Sequence, residues 1–173
     1  MSCLPNTPIA TDVRDDGWQS FGTILTTTAA QWKPISESVL TFEAVIEAES
    51  QSAVIRQVSV EETAASSGDL KKQDLTLYVY NAASPTAPTA GTVYNPSTSN
   101  LVGQIQITAS DYERTSDTVW TATVNPNRYF TTGSGNLASN LYLVALYANA
   151  TPTAYTASAA MRVRMWVENN AIV

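Results

Sequence analysis

Apolar and polar residues alternate with a period of two along much of this chain. In Leu40-Thr41-Phe42-Glu43-Ala44-Val45-Ile46-Glu47-Ala48 the even positions are apolar, and Thr41, Glu43 and Glu47 fall among the odd ones. That period marks a strand with one buried face. Ala and Glu would also suit a helix, but the strict alternation decides for strand. Similar runs span 54–60, 75–80, 101–108, 118–124, 140–148 and 159–167. In the last, Met161, Val163, Met165 and Val167 point one way while Arg162, Arg164 and Trp166 point the other. With a β-prone stretch at 23–28, about eight strands are predicted.

Turn-forming segments divide these runs: 66–69, 81–100, Asn125-Pro126-Asn127, 131–136 and Ala150-Thr151-Pro152. Short strands with such punctuation predict an all-β fold, a β-sandwich. Eight strands in two sheets fit a jelly roll, the favoured topology. Residues 1–22, with Pro5, Pro8 and Gly17, read as an irregular N-terminal arm, and 23–173 as a single sandwich domain. Ser110 and Glu113 stand at capping-box spacing and predict one helical turn. The segment Asn81 to Asn100 is long for a loop inside a compact domain. It reads as a projecting contact loop or as mobile surface.

Composition narrows the function. Charged residues are 14% of the 173 positions, against a usual share of about 25%. Such a surface is rich in hydroxyls and small apolar groups, as protein interfaces can be, although Thr is also simply a good strand residue. Net charge is −6 and the nine basic residues are scattered, which argues against nucleic-acid binding and against a polybasic membrane anchor. The chain has no His and one Cys, Cys3. The commonest general base and metal ligand are therefore missing, and no intrachain disulfide or cysteine-rich zinc site can form. No basic segment followed by an apolar run opens the sequence, so no secretory signal is expected and the site of synthesis is the cytosol. Asn149-Ala150-Thr151 then reads as a chance glycosylation triplet.

Carboxylates offer little chemistry. Asp12, Asp15 and Asp16 beside Gly17 lack the ligand spacing of a calcium loop and read as a solvated acidic turn. Glu43 and Glu47 on one strand would lie about 13 Å apart, too far for a glycosidase pair. Glu61-Glu62 and Lys71-Lys72 read as two ends of a polar hairpin. Neither an enzyme nor a cofactor is expected.

Aromatic and guanidinium groups are the better candidates, for partner binding. Trp18, Phe21 and Trp32 lie outside the clear alternation and would bury against their own domain or a partner. Tyr78 and Tyr80 share one strand face opposite Leu75, Leu77 and Val79, and would stand exposed together if the aliphatic face is buried, although they are equally at home in the second sheet face of a sandwich. Arg162, Arg164 and Trp166 project from the last strand, and Arg and Trp are enriched at interfaces. The same face, with Glu168 nearby, could instead be a closed intrachain network.

The Thr/Ala/Ser-rich strands, the arm, and the runs Asn140–Tyr147 and Ser158–Trp166 together resemble capsid decoration (cement) proteins of tailed bacteriophages. The resemblance implies a β-rich, non-enzymatic virion protein on the capsid surface, a homo-oligomer with the trimer favoured, that binds the major capsid protein lattice. It carries no diagnostic motif and assigns no residue a role. The alternative is a carbohydrate-binding sandwich or a phage tail or fibre component, with Tyr78, Tyr80 and Trp166 as a possible aromatic platform.

Overall fold

The computed structural model describes residues 11–26, 30–46, 52–81, 83–131, 140–156 and 159–170. In chain order its strands are β1 (Thr11–Arg14), β2 (Gln19–Ser20), β3 (Leu40–Phe42), β4 (Ser52–Thr63), β5 (Leu75–Asn81), β6 (Leu101–Ile107), β7 (Tyr112–Ser116), β8 (Val119–Val124), β9 (Arg128–Thr131), β10 (Leu141–Tyr147) and β11 (Ala160–Asn170). They form two antiparallel sheets. Sheet one runs β1-β11-β4-β8-β7, with β2 also on β11 and β9 also on β4. Sheet two runs β3-β10-β5-β6.

This order is a jelly roll. β1 and β2 pair in turn along one side of β11, and β8 and β9 pair in turn along one side of β4. Counting each pair as one broken strand leaves four strands facing four, with β7 added as an edge. The chain changes sheet after β2, β3, β4, β6, β9 and β10, which brings its first strands beside its last.

The period of two places the core. On β11, Met161, Val163, Met165 and Val167 are buried between the sheets, where they meet Leu75, Leu77 and Val79 of β5 and Leu141 and Leu143 of β10. Burial at roughly 25 cal/mol per Å² of apolar surface is the main stabilising term.

Several elements differ from the sequence expectation. The strand expected over 40–48 stops at Phe42. There the chain turns: the Glu43 amide donates to Asp16 Oδ2 (2.8 Å), the Ala44 amide donates to Asn140 Oδ1 (3.1 Å), and Ala44 takes φ +51°. Glu47 lies outside the described residues, as do 27 and 28 of the stretch expected at 23–28. Residues 23–26 form no strand, although the Leu25 amide donates to Ile35 O (2.8 Å). The helical turn is Ala109–Asp111, earlier than expected. Its box joins Thr108 to Asp111, whose Oδ2 accepts from the Thr108 amide (2.7 Å).

The arm is irregular only in part where it is described: 15–18 and 21–22 form no strand. Residues 11–14 and 19–20 are strands of sheet one, and Phe21 sits in the main core at 1% exposure, its amide donating to Met161 O (3.1 Å). Residues 1–10, with Cys3, lie outside the described residues.

Sheet two is covered on its outer face as well. Tyr78, Tyr80, Val144 and Leu146 point outward and form a second apolar cluster with Val39, Tyr94, Leu101 and Tyr142. The segment 83–100 crosses this face as a strap. Its Tyr94 amide donates to Trp32 O (3.0 Å), its Ala90 amide to Glu37 Oε1 (2.8 Å), and the Tyr94 hydroxyl to Thr86 O (3.1 Å). The long loop thus returns to its own domain.

At the Leu75–Tyr147 end, Glu62 is fully buried. Its Oε1 accepts from the Lys71 amide (2.6 Å) and its Oε2 from the Lys72 amide (2.8 Å), while the Lys72 ammonium lies over Trp120 (4.2 Å). Burial raises the Glu62 carboxyl above its ordinary value, and the two amides and the two ammonium groups offset this only in part.

Two outcomes follow from this packing. Leu146→Ala costs about 2–4 kcal/mol in urea unfolding, as Leu143→Ala does; a cost below about 0.5 kcal/mol would show the outer face of sheet two to be ordinary surface. Glu62 binds its proton more tightly folded than unfolded. Its contribution is therefore fully present below the unfolded pKa and lost as pH rises through the folded one. Wild-type stability relative to Glu62→Gln should fall as pH climbs above 4.5, the carboxyl's ordinary value. A difference that is flat with pH, or that grows, would contradict the raised carboxyl.

Candidate interaction surface

The outward residues of β11 gather the charged and aromatic groups of sheet one. Alternation sends Arg162, Arg164, Trp166 and Glu168 to the side away from the core, with Glu61 beside them on β4, where it pairs directly with Arg162. The β1–β2 connection lies along the same face and brings Asp15 and Trp18.

These groups form three rungs. Arg162 reaches Glu61, with Nε to Oε1 at 2.7 Å, and its guanidinium lies over the Trp18 ring at 4.7 Å. Arg164 donates from Nε to Asp15 Oδ2 (2.6 Å), and also from Nη2, while its guanidinium stacks over Trp166 at 4.5 Å. Arg56 donates to both oxygens of Glu168, at 2.5 and 3.0 Å, and from Nη1 to Asn127 Oδ1 (3.2 Å). The bond to Arg56 holds the Glu168 carboxyl below its usual range, and the partner carboxylates raise the Arg56 and Arg164 guanidiniums. Exposed ion pairs add little to stability. Their effect here is to fix long side chains in one conformation, which lowers the entropy lost when a partner covers them.

Four of the eight candidate residues therefore meet on one face: Trp18, Arg162, Arg164 and Trp166. The closed network and the interface reading coincide, because the pairs lie side by side on the outer face of the sheet and none of Trp18, Arg162, Arg164 and Trp166 is fully buried. Tyr129 extends the face. It points outward from β9 opposite Val54, is 65% exposed, and interacts with Arg56.

The other candidates lie elsewhere. Phe21 belongs to the core. Tyr78 and Tyr80 are 6% and 0% exposed under the 83–100 strap, so the pair expected side by side on the surface is covered; burial pushes both phenols up. They belong to sheet two and Trp166 to sheet one, so these three aromatics share no platform.

Trp32 stands alone. Its turn closes with Lys33 N–H donating to Ala30 O (3.1 Å), and Trp32 has φ +64° while Gln31 does not enter positive φ. That is a type II turn with tryptophan where glycine or asparagine is usual. The left-handed conformation costs roughly 1–2 kcal/mol for a residue with a Cβ. The turn is held from both sides: the Trp32 amide donates to Tyr147 O (2.9 Å) and its carbonyl accepts from Tyr94. The indole stays 41% exposed.

The acidic turn has structural work. Asp15 Oδ1 accepts from the Gly17 amide (2.7 Å) and Asp16 Oδ2 accepts from Gln19 Nε2 (3.0 Å), besides the bonds above. Among the described residues no group of three His, Cys, Asp or Glu is placed to hold a metal ion, and no helix is long and apolar enough to cross a membrane. Arg56 and Tyr129 were not singled out by sequence, and Asp15 and Glu61 were read only as parts of a solvated acidic turn and a polar hairpin. Only the outward parity of β11 hinted that partners for its arginines had to exist.

No protein-family model and no curated protein matches the chain. Among solved structures it is similar to Desmodium yellow mottle tymovirus, at 10% identity and a TM-score of 0.33 over 100% of this chain and 96% of that one. It is also similar to the coat protein of Tobacco streak virus, at 11% and 0.26 over 98% and 92%, and to Turnip yellow mosaic virus, at 11% and 0.32 over 100% and 87%. Overlaps this loose bear on neither fold nor function, and the jelly-roll assignment rests on strand order.

Proposed function

We propose that this chain is a non-enzymatic structural protein of a virion, a decoration subunit of a tailed-bacteriophage capsid that binds the major capsid protein lattice and stabilises the head. The observation that supports it is the outer face of sheet one. Trp18, Trp166 and three paired arginines present a surface of the composition that dominates protein interfaces. Each guanidinium is already paired with a carboxylate, and those of Arg162 and Arg164 are stacked on indole rings, so docking strips water from ring and guanidinium faces without leaving a buried charge unpaired. A homo-oligomer would repeat the face by symmetry and multiply modest single contacts. The sugar-platform reading loses its support, because Tyr78 and Tyr80 lie under the strap on the other sheet.

The test is retention of the purified protein on assembled coat shells. Arg162→Ala combined with Trp166→Ala should weaken retention by at least about 30-fold, the loss expected of interface hot spots. Melting temperature should change little, since both side chains lie outside the core. Retention equal to wild type, or wild-type protein that never binds shells, would contradict the reading.

A further inference from the structure

Two features lie on one lateral edge of the sandwich, where β1 and β2 border sheet one and β3 borders sheet two. At one end is an apolar knob: Trp32 at 41% exposure, with Val93 at 54% beside it across the Tyr94–Trp32 hydrogen bond. At the other end is an open groove lined by Val13, Ala44 and Val45 and by the acidic Asp15, Asp16 and Glu43. Arg14 also lines it and reaches Ala44 O at 3.4 Å. Trp32 is bonded to Tyr147 and the groove adjoins Phe42, the partner of Leu141. Along β10 those two positions are about 20 Å apart.

Backbone strain marks the same two places. Among the described residues five that are not glycine have positive φ: Trp32, Ala44, Lys72, Asn100 and Asn127. Asparagine tolerates this conformation, and the Lys72 amide is held by the buried Glu62 carboxylate. Trp32 and Ala44, at the knob and the groove, are likewise held, by Tyr147 and Tyr94 and by Asn140. Strain of this kind persists where surrounding structure enforces it and gathers at functional sites.

We propose that this edge is a two-fold interface between two copies of the chain, with Trp32 of each copy seated in the Val13–Ala44–Val45 groove of the other. Knob and groove sit at opposite ends of one edge, so a two-fold axis through its middle joins both pairs at once. Charge agrees: Lys33 follows the knob in sequence, and the groove's three carboxylates, Asp15, Asp16 and Glu43, outnumber its one cation, Arg14. The inference deepens the proposed virion role by naming the self-contact, and rests on that role for its biological use.

Sedimentation of the full chain over a wide concentration range tests it, with melting followed on dilute protein. The wild type should be a dimer. Trp32→Gly should weaken self-association at least about 30-fold and leave the melting temperature unchanged or raised by about 2–4 °C, because glycine relieves the left-handed strain. Lys33→Glu and Glu43→Lys should each weaken the dimer, and the double variant should restore it. A monomeric or trimeric wild type, an unaltered dimer in Trp32→Gly, or a lowered melting temperature in that variant would overturn the inference. Shell retention measured on the same preparations separates the two readings. Retention without dimers sinks the self-contact alone, and dimers without retention sink the virion role alone.

Discussion

The antiparallel ladder between β4 and β11 is the constraint on which the rest of this molecule depends. Eleven successive residues of β11 pair with β4, with one register shift between Trp166 and Val167. On its other side β11 carries β1 and β2, so the first and last strands are tied together. Its parity assigns the two faces. Methionine and valine go into the core, and arginine, tryptophan and glutamate go out. A slip of one residue would exchange them, placing guanidiniums between the sheets. Core stability and the geometry of the interaction face are therefore set by the same pairing.

A second constraint comes from sheet two, which carries apolar residues on both faces. Tyr78, Tyr80, Val144 and Leu146 cannot face water without cost, and the 83–100 strap covers them. Covering that face fixes where the strap can run, and its run fixes Trp32, whose carbonyl takes the Tyr94 amide. The exposed indole is thus a consequence of how the outer face is sealed, and the left-handed turn is enforced by bonds on both sides.

Much of this was legible in the sequence, wherever local pattern decides. The alternation over 161–167 gave both faces of β11, and with them Arg162, Arg164 and Trp166 as neighbours. Leu75, Leu77 and Val79 were placed together on one strand face on the same ground, and that face is the buried one. Features set by distant partners were not legible. Asp15 and Arg164 are 149 residues apart in the chain, and no spacing rule joins them. β1 and β2 have four and two residues and no period of their own; they are strands because β11 offers an edge. The strap was recognisable as a long loop, but its place over Tyr78 and Tyr80 depends on the topology of sheet two. The Trp32 turn carries no glycine or asparagine to announce a positive φ.

The central claim is that this protein works by presenting a preorganised surface, the outer face of sheet one, to a protein lattice. Electron cryomicroscopy of the native particle with this protein in place tests that most directly. The account predicts density for the sandwich on the capsid surface with Trp18, Arg162, Arg164 and Trp166 buried against coat subunits. A particle that holds the protein with this face open to solvent, or that lacks the protein altogether, would contradict it.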